Sequence, residues 1–131
     1  MKFHPVVHFE MPYEDSKRVS DFYKKVFDWG MQESGEDMGN YVVAHTTETD
    51  ENMMVKTPGN INGGFFSKDQ SDAKYPSVVV QVEDINEYMK KIEEAGGKVL
   101  GKPADIPGVG AYVSFTDTEG NRASILEPPK K

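Results

Sequence analysis

FYKKVFDWG, residues 22–30, decides the fold, because a second stretch of the chain repeats its pattern. YMKKIEEAG, residues 88–96, aligns with it at an offset of 66 residues (22 to 88), about half of the 131-residue chain. Each copy follows an acidic Glu-Asp pair, at 14–15 and 83–84, and each ends on a glycine. Self-similarity at a long period is typical of a duplicated structural unit, so the repeat predicts two related modules.

Both copies carry the apolar spacing of an amphipathic helix. In the first, the apolar residues recur at i, i+3, i+4, i+7 and i+8: Val19, Phe22, Tyr23, Val26 and Phe27. The second has the same spacing: Ile85, Tyr88, Met89, Ile92 and Ala95. Asp15 or Ser16 is expected to begin the first helix and Gly30 to end it, while Asp84 begins the second and Gly96-Gly97 ends it.

The remaining apolar runs predict strands. Four are of strand length: 6–11, 41–46, 77–82 and 111–116. Three are shorter or weaker, the last because of its paired glycines: 98–100, 124–126 and 61–66. One strand precedes each helix and others follow it. We therefore predict an α+β fold of two tandem β-α-β-β-β modules, about residues 4–66 and 76–128, within a single domain spanning 1–131.

Composition excludes several classes of function. The net charge of −7 argues against binding to nucleic acid or to an anionic membrane, because few basic groups would neutralise phosphates. The lack of cysteine excludes disulfides, thiolate catalysis, zinc fingers and iron–sulfur clusters. No apolar run has the length of a membrane helix, and the first ten residues show no signal-like core, so a cytoplasmic location is expected.

Strand alternation assigns the polar side chains to one face. If each helix covers the apolar face of its sheet, the opposite face mixes aliphatic residues with polar ones: His8, Glu10, Ser77, Gln81, Tyr112, Ser114 and Ser124. Such a mixture favours a ligand-sized cavity, with a solvated face as the alternative. His8 and Glu10, two residues apart in VVHFEMP (6–12), form either half of a metal or acid–base site or a pair of polar groups in a wet cavity.

The pattern resembles the vicinal oxygen chelate superfamily, which holds glyoxalase I, the bleomycin-resistance proteins and the extradiol dioxygenases. Four segments carry the resemblance: HFEMPYEDSKRVSDFYKKVFDWGM (8–31), INGGFF (61–66), PSVVVQVEDINEYMKKIEEAGGKVL (76–100) and GAYVSFTDTEGNRASILEP (110–128). The chain is most similar to the glyoxalase-like branch, described as related to lactoylglutathione lyase. The resemblance implies half-open curved sheets around a cavity, and a homodimer.

The resemblance also implies where a metal would bind. Metal-dependent members place one ligand on the first strand and one on the last strand of each module. Those positions fall here on His8, Ser77, Ser124 and a residue within 61–66, a stretch with no His, Asp or Glu. One imidazole does not hold a divalent ion by itself, so we expect neither a metal nor another cofactor.

The expected function is therefore binding of an unidentified small molecule by a glyoxalase-like protein of unspecified activity. His8 and Glu10 are the candidate acid–base residues, and the other five polar residues of that face are the candidate ligand contacts: Ser77, Gln81, Tyr112, Ser114 and Ser124. Whether the chain is an enzyme stays open, although the resemblance is to lyases. The alternatives are a ligand-sequestering protein of the bleomycin-resistance type, and a metal-dependent lyase or dioxygenase with an atypical ligand set.

Overall fold

The computed structural model describes residues 3–129 and contains the predicted β-α-β-β-β order twice. The first module comprises β1 (Val6–Tyr13), α1 (Ser16–Phe27), β2 (Gly30–Glu33), β3 (Val42–His45) and β4 (Asn62–Ser67). The second comprises β5 (Ser77–Gln81), α2 (Ile85–Glu94), β6 (Lys98–Ile106), β7 (Gly110–Thr116) and β8 (Arg122–Glu127). None of the helices between residues 3 and 129 has the length and apolar character needed to cross a bilayer.

The chain divides into two compact units. Residues 8–76 form the first unit, and residues 3–7 with 77–129 form the second. Strand order is β2-β3-β4-β1 in the first unit and β5-β8-β7-β6 in the second. In both, the first and last strands of the module pair in parallel, and the other neighbours are antiparallel. The two units therefore have the same strand topology, as the sequence repeat predicted.

Side-chain caps begin both helices where the sequence placed them. The Asp15 carboxylate accepts a hydrogen bond from the Arg18 backbone N–H, and Asp84 caps α2 in the same manner. The prediction that Gly30 ends the first helix was wrong, because α1 ends at Phe27 and Asp28 adopts the left-handed conformation with φ 59°. Aspartate tolerates that conformation better than most residues, and Gly30 instead begins β2.

Each helix covers the apolar face of its own sheet. In the first unit, the buried cluster consists of Tyr13, Val42, Ala44 and Phe65, and α1 packs on it through Val19 and Tyr23. In the second unit, the buried cluster consists of Val82, Ile85, Val113 and Ile125. Phe9 and Met11 of β1 pack against the first cluster, as predicted from alternation. His8 and Glu10 consequently point to the opposite face.

Two parts of the sheets departed from the sequence-based expectation. The glycine pair of β4 was expected to weaken that strand, yet Gly63 and Gly64 are both buried within it. β6 is longer than the predicted 98–100, because a register shift between Leu100 and Ala104 lets the strand continue past its internal glycine and proline. β6 is an edge strand, the last in the sheet order. A proline is tolerated in an edge strand because its missing N–H can lie on the side that has no neighbouring strand.

Candidate functional site

A three-residue hydrogen-bonded group joins His8 to Glu10 in the first unit. The Tyr41 hydroxyl lies 2.9 Å from His8 Nε2 and donates to Glu10 Oε2 at 3.3 Å. The rings of His8 and Tyr41 are nearly parallel, with 21° between their planes and centroids 6.4 Å apart. The two candidate acid–base residues are therefore brought together, but through a tyrosine. We call this group the His8–Tyr41–Glu10 relay.

A missing side chain makes room for the tyrosine. Gly64 is the register partner of Glu10 in the parallel β1–β4 pair, and a Cβ built on it would overlap the ring and hydroxyl of Tyr41. The backbone carbonyl of Tyr41 accepts a hydrogen bond from the Ser34 N–H at 2.8 Å, which fixes the chain just before β3. The glycine that weakened the strand prediction is thus required by the packing of this site.

Burial keeps the imidazole of His8 uncharged. His8 is half-buried, and desolvation lowers its pKa from the usual 6.5 to about 4, because a low-polarity environment disfavours the imidazolium. At neutral pH, His8 is accordingly a neutral ring with one N–H donor and one lone-pair acceptor. Such a ring accepts a hydrogen bond readily but is a weak base.

A second hydrogen-bonded group, in the second unit, joins three of the predicted ligand contacts. Ser124 Oγ donates to the Tyr112 hydroxyl at 2.8 Å and lies 2.9 Å from Ser114 Oγ. Ser124 and Ser114 are only 2% and 8% exposed. Both lie on the face of the sheet opposite Val113 and Ile125, which pack towards α2.

Ser77 and Gln81 occupy the two ends of the neighbouring strand. Both are half-buried, and by alternation they share a face with Val79, the register partner of Ser124 in the parallel β5–β8 pair. The five predicted ligand contacts thus lie on one face of the second unit. The two candidate acid–base residues belong to the first unit.

Sequence reasoning missed Tyr41, although a signal for it was present. Val43 pairs with Gly64 in the first unit, and Ser114 pairs with Ser124 in the second. Val43 is therefore the counterpart of Ser114, and the residues two positions earlier, Tyr41 and Tyr112, are counterparts as well. The motifs Tyr-Val-Val (41–43) and Tyr-Val-Ser (112–114) therefore extend the internal repeat and mark both tyrosines as counterparts on the same sheet face.

The registers also test the metal site that the resemblance implies. Glu10 pairs with Gly64 and Val79 pairs with Ser124, so Gly64 is the first-module counterpart of Ser124. Gly64 has no donor atom, and the Ser124 hydroxyl is bonded to two other hydroxyls. Across residues 3–129, no three His, Asp or Glu side chains converge as a metal site would require. The described donors do not fit the His and Glu pairs of metal-dependent members.

A separate pocket of about 300 Å³ opens in the second unit, where the turn between β6 and β7 approaches the end of β8. It is lined by Asp105, Ile106, Pro107, Gly108, Gly110, Ala111, Glu127, Pro128 and Pro129. None of the seven predicted site residues belongs to that lining. The Pro107–Gly110 turn therefore shapes a pocket of its own.

Two curated relatives share a local sequence match with the chain. They are the putative glyoxylases CFP32 of Mycobacterium bovis and Mycobacterium tuberculosis, each 39% identical over 51 residues. That match covers 39% of this chain and 20% of each relative. The chain therefore spans about a fifth of the length of the curated relatives it matches.

Solved structures and a family profile extend the similarity to nearly the whole chain. A Streptomyces coelicolor methylmalonyl-CoA epimerase matches with a TM-score of 0.72 and 11% identity over 98% of this chain and 100% of that one. A hypothetical protein from Bacillus halodurans C-125 matches with a TM-score of 0.67 and 13% identity over 99% and 98%. At such identities these neighbours establish the fold. The family profile matches residues 6–125, and the chain accordingly belongs to the Glyoxalase/Bleomycin resistance protein/Dioxygenase superfamily.

Proposed function

We propose that this chain is a glyoxalase-like protein that binds a small molecule on the sheet face carrying His8, and that it does so without a divalent metal. The observation that carries the proposal is the bridging Tyr41 hydroxyl, 2.9 Å from His8 and 3.3 Å from Glu10. Tyr41 lies over Gly64, the position from which the last strand of the module would otherwise supply a ligand. Among the family's metal-ligand positions, His8 is the one residue able to bind a metal, and its imidazole is hydrogen-bonded to the Tyr41 hydroxyl.

The charge state of His8 favours binding over proton abstraction. A histidine with a pKa of about 4 is unprotonated at neutral pH and can accept a hydrogen bond, but it is a weak general base. In the second unit, the hydroxyls of Ser114 and Ser124 are buried polar groups of the kind that fix the orientation of a ligand. We propose that face, with Ser77, Gln81 and Tyr112, as a candidate ligand-contact surface of the second unit. The net charge of −7 supports a neutral or cationic ligand.

An enzymatic function is the second candidate, and the His8–Tyr41–Glu10 relay is the observation in its favour. A histidine linked to a carboxylate can accept a proton when the reaction places an anion beside it. The names of similar proteins supply reactions to assay first, a glyoxalase reaction and the epimerisation of methylmalonyl-CoA. Pairing with a second copy and a cytoplasmic location stay predictions. The exposed Phe22, Val26 and Phe27 of α1 support the pairing.

A ligand screen with metal control tests the proposal. Purified protein is analysed for metal, and compounds are screened by thermal shift with and without a chelator. A compound that raises the Tm should bind the His8→Ala variant about tenfold more weakly, the loss expected for one hydrogen bond to a ligand. His45→Ala is the matched control, because His45 lies on β3 outside the relay.

Three results would count against the proposal. Near-stoichiometric nickel, zinc or iron, together with loss of binding after chelation, would support the metal-dependent alternative. Turnover of the compound, abolished in His8→Ala, would establish the enzyme instead. Equal affinity of the wild type and His8→Ala would remove His8 from the site.

A further inference from the structure

The relay has two hydrogen bonds and two protons to form them, one on the Tyr41 hydroxyl and one on the neutral imidazole of His8. A tyrosine hydroxyl carries one proton, and in this structure it is donated to Glu10 Oε2. A carboxylate only accepts hydrogen bonds, so the proton between Tyr41 and Glu10 can come only from the tyrosine. If Tyr41 donated to His8 instead, its oxygen would face Glu10 with no proton between them. The hydroxyl oxygen is therefore left to accept from His8.

That assignment fixes the protonation of the imidazole. Nε2 lies 2.9 Å from the Tyr41 oxygen, so Nε2 must carry the ring proton in order to donate to it. A neutral imidazole has only one N–H, which leaves Nδ1 with a free lone pair. Within residues 3–129, the contacts of His8 are this hydrogen bond and ring contacts with Phe9 and Tyr41. Nδ1 thus has no hydrogen-bond partner in that part of the chain.

Nδ1 is also reachable from outside the protein. Among the described residues, Ser20 Oγ is the side-chain oxygen or nitrogen that is fully buried without a hydrogen-bond partner. His8 Nδ1 is not such an atom, although it makes no hydrogen bond, so it must be accessible to solvent or to a ligand. A solvent-accessible lone pair on a half-buried ring can accept a hydrogen bond from a ligand.

We propose that Tyr41 is a positioning residue that holds the proton of His8 on Nε2, and that Nδ1 is the ligand-facing atom. The site would then select ligands that present a hydroxyl, an N–H or an acidic C–H to Nδ1, and would disfavour carboxylate or phosphate groups there. This inference rests on the proposed function for its ligand class. The tautomer itself is a property of the ligand-free protein.

NMR measures the tautomer directly. Long-range ¹H–¹⁵N correlation spectra of the ligand-free, ¹⁵N-labelled full chain distinguish protonated from unprotonated ring nitrogens, and His8→Gln assigns the His8 signals. At neutral pH we expect the Nε2–H form of His8 to exceed the Nδ1–H form at least about tenfold, the ratio that one net hydrogen bond supports. In Tyr41→Phe the ratio should fall to the modest preference of a free imidazole.

Matched variants keep the experiment decisive. Tyr88→Phe removes a hydroxyl that lies 2.7 Å from Nε2 of a different histidine, His4, and should leave the His8 signals unchanged. An Nδ1–H form in the wild type, or a ratio unaltered by Tyr41→Phe, would overturn the inference whether or not a ligand is ever found. If Tyr41→Phe does not fold, Glu10→Gln serves in its place, because a side-chain amide can donate to Tyr41 and releases the constraint. An unchanged ratio in Glu10→Gln would then refute the inference.

Discussion

Lowering the pH should destabilise this protein through His8. The pKa of the buried imidazole is about 4 in the folded chain, while an unfolded histidine has its usual value of 6.5. The unfolded state therefore binds more protons between these values, and stability falls as the pH falls. The loss begins as the pH passes 6.5 and is complete below about 4.

The size of the loss follows from the two pKa values. Their difference corresponds to about 3 kcal/mol at 1.36 kcal/mol per pKa unit, which is the limiting penalty at low pH. Between pH 7.5 and pH 5, the linkage relation gives about 2 kcal/mol. A typical domain has a total unfolding free energy of about 5–15 kcal/mol, so the effect is readily measured.

Urea unfolding at both pH values, for the wild type and His8→Gln, isolates this contribution. Glutamine keeps a donor near the Tyr41 oxygen but does not titrate, and the other titrating groups are the same in both proteins. The wild type should lose about 2 kcal/mol more than His8→Gln between the two pH values. Equal losses in the two proteins would refute the conclusion that His8 is buried in its neutral form.

Two further substitutions test the packing of Gly64 against Tyr41 and the side-chain cap at the start of α2. Gly64→Ala should lower the free energy of unfolding by about 1–3 kcal/mol, because the new Cβ overlaps Tyr41. Gly30→Ala is the control and should be neutral or slightly stabilising, since the nearest contact of its Cβ would be His45 Cβ at 3.4 Å. Equal stabilities of the two variants in urea would contradict this. Glu127→Ala should cost about 1 kcal/mol because Glu127 Oε1 accepts from the Ile85 N–H at 2.9 Å, at the start of α2. Glu127→Gln, which keeps an acceptor oxygen, should cost less, and a wild-type stability of Glu127→Ala would show that the cap contributes nothing.

The sequence by itself determined the modules, the helices and the facing of the strands. These features rest on local periodicity and on a repeat, and both are written in consecutive residues. The apolar spacing of 19–27 and 85–95 and the caps at Asp15 and Asp84 were sufficient to place the helices, because such spacing is typical of an amphipathic helix. It did not determine burial, since Phe22, Val26 and Phe27 are more than half exposed. Alternation likewise placed Phe9 towards the core and His8 away from it.

Only the tertiary structure decided how the site is connected. Tyr41 is 31 residues from Glu10 in sequence, and the space for its ring exists because Gly64, on a third segment, lacks a Cβ. The pKa of His8 is lowered by burial, and one residue in contact with its ring is Tyr41, which is distant in sequence. Local patterns record which face a side chain occupies, whereas contacts across a sheet depend on strand register, which is fixed only when the strands pair.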